Sequence, residues 1–367
     1  MDDFYPRRFR SVHLPVIARV GPRVVRELAD DAVRLGVSRA GMVWSRELPE
    51  KVVAEVRKVL IDGGLTLAAE VSVEHGTVAE SQAVATALSA AGVDGVIAVG
   101  GGRSLDVGKY AAANLGGGES HTEVPVVCVP TSLSNDGFAS PTASLVGPDG
   151  RRVSVQCDSP AGVIVDTVIC AGAPPRLLAA GLGDVMAKVS ALADWRLAEH
   201  AGLGDRVDGI AAAVARASIA EALAITTWDP AGVERLATGL LLGGVAMGVA
   251  GSSRPCSGSE HLISHALDLL RTPAGSHGVQ VGLAAYLTAQ LHGEGGEIDI
   301  QHVFDTLNFW DIARAEAAAG LTRAVFAEAL KLVPEIKPGY ITVLSRPGAF
   351  DVLRDLLETD PALSWWR

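Results

Sequence analysis

Residues 95–109 read GVIAVGGGRSLDVGK. The apolar run Gly95 to Val99 passes without a linker into Gly100, Gly101 and Gly102, and helical spacing begins by Ser104. Few folds accept that order. It calls for a strand buried on both faces in a parallel sheet, a tight turn and a helix whose first N–H groups stay unpaired. Those N–H groups can take a phosphate, and glycines let the ligand approach the main chain. A βα turn that simply needs positive φ produces the same letters. The run is neither GxGxxG nor a Walker A loop. Asp106 and Lys109, three apart, are expected as a solvated pair on the new helix.

The surroundings repeat the strand–helix rhythm. Strands are predicted at 40–44, 65–71, 95–99 and 124–129, and helices at 49–61, 78–91 and 104–113. Short β-like segments at 143–146 and 152–156 flank the turn Gly147-Pro148-Asp149-Gly150 and predict a hairpin, with a further segment at 163–165. From Pro174-Pro175 onward the pattern is helical, with helices predicted at 176–199, 207–227 and 231–249. The expectation is therefore an α/β N-terminal domain over residues 1–167 and an all-α C-terminal domain over 168–367.

Hydrophobic residues make up 49% and charged residues 20%, and mean hydropathy is +0.29. No charge-free apolar run of about 18 residues appears, so no membrane is expected. The start, MDDFYPRRFR, has no apolar run behind it and no secretory signal. A net charge of −11 without a basic stripe argues against nucleic acid. Cys128, Cys157, Cys170 and Cys256 lack CxxC spacing, and reduced thiols in a cytoplasmic protein are expected.

His261 and His265 lie four apart in SEHLISHA and share a helical face. His277 follows a predicted Pro273-Ala274-Gly275 turn, and Asp184 sits in the apolar run GLGDVMAK. Two imidazoles and a carboxylate make an open catalytic metal site. Core or surface histidines and a solvated aspartate fit the same letters.

The pieces together resemble the iron-containing alcohol dehydrogenase and glycerol dehydrogenase superfamily, most closely its sn-glycerol-1-phosphate dehydrogenase branch. GGGRSLDVGK (100–109), VPTSLSNDGFASPTAS (129–144), GLGDVMAKVSALADWRLA (181–198), SRPCSGSEHLISHALD (253–268) and HGVQVG (277–282) carry the resemblance. It implies a Rossmann-like NAD(P)-binding domain, a helical metal-binding domain and an active site in the cleft between them. It implies that Gly100, Gly101, Gly102 and Asp106 form the pyrophosphate loop, and that Thr131 and Ser132 lie beneath the nicotinamide. Ser45, near the end of the strand at 40–44, joins the cofactor set. Asp184, His261 and His277 match the metal ligands, with zinc expected and ferrous iron or another divalent ion as alternatives. Asp136 matches a substrate-contacting aspartate, and His265 a proton-relay histidine. The reaction implied interconverts a polyol or polyol phosphate with its ketone, as in dihydroxyacetone phosphate reduction, and a homo-oligomer is expected.

Two departures stand out. Val279 occupies a position where the family commonly has Glu, and Leu133 one where a smaller residue is usual. Both leave room for a cyclitol or another polyol as substrate. Residues 294–310 do not align. A sugar-phosphate cyclase of the dehydroquinate synthase type shares the fold but normally uses Glu among its ligands and several lysines. Asp184 and the scarcity of lysine disfavour it, and an intact ligand set disfavours a non-enzymatic module. Arg46 after the strand at 40–44 suggests that NADP(H) is accepted at least as well as NAD(H). Lys188 and Arg254 are candidates for a substrate phosphate, with surface cations as the alternative.

Overall fold

The computed structural model describes residues 12, 14–115, 124–204, 206–270, 275–293 and 298–366. The first ten residues, the Pro273-Ala274 part of the predicted turn and residues 294–297 of the unaligned segment lie outside them.

The chain begins with β1 (Ile17–Gly21) and α1 (Leu28–Arg34), then alternates β2 (Arg39–Ser45), α2 (Glu50–Asp62), β3 (Thr66–Val73), α3 (Val78–Ala90), β4 (Gly95–Gly100), α4 (Gly102–Leu115) and β5 (Val126–Pro130). The hairpin β6 (Thr142–Val146) and β7 (Arg152–Gln156) follows, then β8 (Gly162–Asp166). Six strands form a parallel sheet in the order β1-β8-β5-β4-β2-β3, while β6 and β7 pair antiparallel apart from it.

Strands β4, β5 and β8 are buried along their whole length, which is why they read as unbroken apolar runs. Alternate residues serve opposite faces. Ile97 and Val99 join Met42, Val127 and Leu60 in one core layer. Val96 and Ala98 join Leu105 and Leu88 in the other, which continues into the helical half. β1 and α1 were not predicted. Among the described residues β1 is a short edge strand that pairs with β8 alone, and its Arg19 is ion-paired to the buried Asp31.

The sheet order places its switch point between β2 and β4, because the chain leaves β2 toward β3 and leaves β4 toward β5. In register, Trp44 lies opposite Val99. Ser45 and Gly100 therefore stand together at the carboxyl ends, where open α/β sheets bind ligands.

From Thr167 on, the described elements are helical: α5 (Thr167–Ala171), α6 (Pro175–His200), α7 (Gly209–Leu223), α8 (Pro230–Ala250), α9 (Ser259–Leu269), α10 (His277–Leu291), α11 (Ile300–Thr306), α12 (Phe309–Ala319), α13 (Arg323–Ile336) and α14 (Ala349–Thr359). Asp166 caps α5 and also accepts from Val25 N. α8 is long and apolar enough by composition to cross a membrane, but much of it is buried inside the protein. The contact that builds the site is α6 against α10. A Cβ on Gly183 would lie 2.1 Å from the Gly278 carbonyl oxygen, and one on Gly278 would lie 2.0 Å from that of Ala180. Only glycine allows the two backbones to come this close, and the contact sets Asp184 beside His277.

Candidate metal centre and active site

Asp184 comes from α6, His261 from α9 and His277 from the first turn of α10. One ligand atom from each lies within 4.8 Å of the others. Asp184 is buried, and His277 Nε2 is 3.9 Å from its Oδ1. The two imidazole centroids are 5.2 Å apart.

Hydrogen bonding fixes the tautomers. His261 Nδ1 is 2.7 Å from Oε1 of Glu260, a carboxylate that can only accept, so Nδ1 carries the proton. Ser264 gives its one hydroxyl proton to Gln280 Oε1 at 2.6 Å. Its oxygen must then accept from His277 Nδ1, 3.0 Å away. Both rings are left with a bare Nε2, and that is the form in which histidine binds a metal. The donor set and its supports fit a divalent cation.

Electrostatics agree. Burial, and then the neighbouring charge of Asp136, push the Asp184 carboxyl up to about 6, against the pull of Lys188. Such a cost is relieved by a cation. Burial and the neighbouring His261 push His277 well below its usual value, so it stays neutral. Burial opposes charge on His261 too, but its bond to Glu260 together with the charges of Glu260, Asp184 and Asp136 outweighs that and raises it.

Asp136 sits in the turn after β5. Its backbone N–H donates to Asp184 Oδ2 at 3.2 Å, and its own Oδ2 is 3.0 Å from Lys188 Nζ. Lys188 is fully buried and also lies 3.4 Å from Asp184 Oδ2. Burial alone would lower its pKa, but the two aspartates raise it. His265 stands 6.4 Å from each of the other two rings, and burial brings it down to about 4.

At the sheet end, Gly100 has φ 136°, and a Cβ there would meet Ser104 Oγ at 2.4 Å and Ser45 Cβ at 3.0 Å. The turn therefore requires glycine. Its carbonyl accepts from Thr131 N at 2.9 Å. Positions for a Cβ on Gly101 and Gly102 are 3.6 Å from Ser132 Oγ and Asn135 Nδ2. Gly100–Gly102, Ser45, Thr131 and Ser132 thus line one rim.

Several expectations need correction. Asp106 and Lys109 are not a solvated pair. Lys109 is buried, 2.9 Å from Asp106 Oδ1, and donates to the carbonyls of Gly137, at 2.7 Å, and Thr142. Asp106 also accepts from the Ser144 backbone, so its carboxylate ties α4 to β6. Lys188 and Arg254 are not surface cations either: Arg254 is buried and donates to Ile341 O at 2.9 Å. Val279 leaves no gap around His277, because Ser264 and Gln280 supply the polar partner while Val279 packs in the core. Leu133 is buried too, and its carbonyl lies against Gly181.

Sequence reading missed Glu260, Ser264 and Gln280. Ser264 and Gln280 follow the two ligand histidines by three residues, on the same helical faces, and Glu260 immediately precedes His261. That spacing was the available signal.

Comparison with known proteins meets this geometry. A family model described as iron-containing alcohol dehydrogenase matches residues 19–174. The chain is 36% identical over 337 residues to a glycerol-1-phosphate dehydrogenase [NAD(P)+] of Pyrococcus furiosus, covering 90% of this chain and 92% of that one. A protein of the same name from Thermofilum pendens is 41% identical over 282 residues, 74% of this chain and 75% of its own. Among solved structures, a probable glycerol dehydrogenase from Sinorhizobium meliloti superposes with a TM-score of 0.70 at 20% identity, covering 94% of this chain and 96% of that one, a likeness of fold alone. With a switch-point glycine turn, a two-histidine, one-aspartate cluster and relatives of this similarity over most of its length, the chain belongs to the iron-containing alcohol dehydrogenase family.

Proposed function

We propose that the protein is an NAD(P)-linked dehydrogenase that interconverts sn-glycerol 1-phosphate and dihydroxyacetone phosphate at a divalent metal held by Asp184, His261 and His277. The observation that carries the metal reading is the fixed tautomer pair: Glu260 and Ser264 occupy both Nδ1 atoms and leave both Nε2 atoms to an ion. The substrate reading rests on the similarity to the two archaeal relatives. Zinc is the ion we favour.

When bound, the ion polarises the substrate oxygen as a Lewis acid, and the nicotinamide carries the hydride. This chain's residues do the rest. Gly100–Gly102 and the start of α4 present main-chain N–H groups to the pyrophosphate, with Ser45, Thr131 and Ser132 at its rim. Glu260 and Ser264 orient the ligand rings. Lys188 holds Asp136 beside Asp184, so Asp136 presents a fixed carboxylate to a substrate hydroxyl. His265, neutral at pH 7, accepts and returns the proton at the substrate oxygen, directly or through water.

The test is nicotinamide oxidation with dihydroxyacetone phosphate, dihydroxyacetone and a cyclic ketose, with zinc added and with each cofactor. Turnover of the phosphate ester above the other two is expected, with NADPH used at least as well as NADH. Turnover of the cyclic ketose alone would overturn the substrate assignment, and full activity after chelation would overturn the metal assignment.

A further inference from the structure

A lysine buried beside a metal cluster works against the ion it accompanies, because like charges repel. Lys188 follows Asp184 by one turn of α6, and its side chain is fully buried. Three oxygens surround its ammonium. Nζ donates to the Asp184 carbonyl at 3.0 Å and to Asp184 Oδ2 at 3.4 Å, and it lies 3.0 Å from Asp136 Oδ2. An ammonium has three protons, so none is left for a substrate phosphate. α8 closes one side of this pocket. A Cβ on its Gly243 would lie 2.6 Å from Lys188 Cε and 3.0 Å from Nζ, so the helix approaches the lysine only as far as a glycine allows.

The two oxygens of Asp184 are thereby unequal. Oδ2 accepts from Asp136 N at 3.2 Å as well as from Lys188. Oδ1 is turned to His277, 3.9 Å from its Nε2. A carboxylate that gave both oxygens to an ion would fill two positions and pass it more charge. One held by Oδ2 gives a single oxygen and leaves open the positions that a catalytic site needs. Charge balance points the same way. Asp184 and Asp136 bring two negative charges to the cluster, and Lys188 offsets one of them.

We propose that Lys188 is a positioning residue that ties up Asp184 Oδ2, so that Asp184 offers the ion Oδ1 alone and with its charge reduced. The site thereby gives up metal affinity and keeps a stronger Lewis acid for the substrate oxygen. This rests on the metal reading above and goes beyond it: Glu260 and Ser264 favour the ion, whereas Lys188 opposes it.

The probe is zinc alone, titrated against a chelator at pH 8 into the wild type and into Lys188→Met, which keeps most of the side-chain length without the charge. Zinc should bind about tenfold more tightly or better in the variant. Its kcat for dihydroxyacetone phosphate, measured at saturating zinc, should fall about 10- to 100-fold. A residue that only supported the packing would lose affinity and activity together. Lys188→Met leaves Asp136 without its cation and can fail to fold, so the titration is repeated in a second background, Asp136→Asn against Asp136→Asn with Lys188→Met. The same tightening is expected there. Zinc binding that is unchanged or weaker in whichever pair folds, or an unchanged kcat at saturating zinc, overturns the inference. The titration needs no substrate. A wild type that does not turn over dihydroxyacetone phosphate overturns the substrate assignment and leaves the titration to decide, whereas a wild type that binds no zinc overturns the metal reading and this inference together.

Discussion

The turn at Gly100–Gly102 and the cluster of Asp184, His261 and His277 are built differently. The turn uses consecutive residues and offers main-chain N–H groups. Its side-chain demand is an absence, a position that tolerates no Cβ. The cluster uses side chains from three helices and depends on buried partners, Glu260, Ser264, Gln280 and Lys188. A main-chain site is robust to most substitutions except at its glycines. A side-chain site transmits damage from every partner, because each buried polar group left alone costs desolvation energy. The two regions also touch: Lys109 on α4 donates to Gly137, next to Asp136, whose N–H donates to Asp184.

The strongest challenge to that contrast is His261→Ala. Bound metal should be lost and kcat/KM should fall about a thousandfold or more, the several kcal/mol that a Lewis acid supplies. Dinucleotide affinity, read by fluorescence titration, should stay near wild type, and a parallel loss would mean that the two regions are not separable. Gly100→Ala should act in the opposite sense. Its forced φ of 136° and the clash with Ser104 should weaken dinucleotide binding by about 30- to 100-fold, from about 2–3 kcal/mol of strain. Metal content, measured by elemental analysis, should survive.

Glu260→Gln tests the supporting layer alone. The shape is kept while the charge behind His261 goes, so metal affinity should fall about 10- to 100-fold. An unchanged affinity would show that the partner is dispensable and would narrow the contrast. The mildest effect is that of pH. Asp184 is raised to about 6 and His261 is raised, and both must shed protons to bind an ion. Protonation therefore competes with the metal, and affinity should rise with pH. Competition with a chelator should show binding about tenfold weaker or more at pH 5.5 than at pH 7.5. A flat profile would contradict the raised groups. In Glu260→Gln the His261 part of this dependence should move to lower pH.

Much of the fold was legible because strand periodicity and breaker residues are local properties. β2, β4 and β5 are apolar runs, β4 and β5 ending at a glycine and a proline, and the helices after Pro174 lack alternation. β1 was not legible. Its five residues carry a half-exposed arginine, and their partner β8 lies some 140 residues away.

The three residues that cluster, Asp184, His261 and His277, could be picked out by residue type, spacing and resemblance, since imidazole and carboxylate chemistry belongs to the side chain itself. So could the turn at 100–102, since a glycine's freedom is intrinsic to the residue. Sequence could not reveal which polar residues are buried. Lys109, Lys188 and Arg254 read like ordinary helix or loop cations, and Val279 like a missing partner. Burial and partnership are properties of packing. The close approach of α6 and α10 through Gly183 and Gly278 brings Asp184 to His277, and the packing of α9 on α10 sets Ser264 as the acceptor for His277, while His261 takes its acceptor from its neighbour Glu260. A desolvated charge is held by whatever lies across the contact, and that neighbour is far away along the chain.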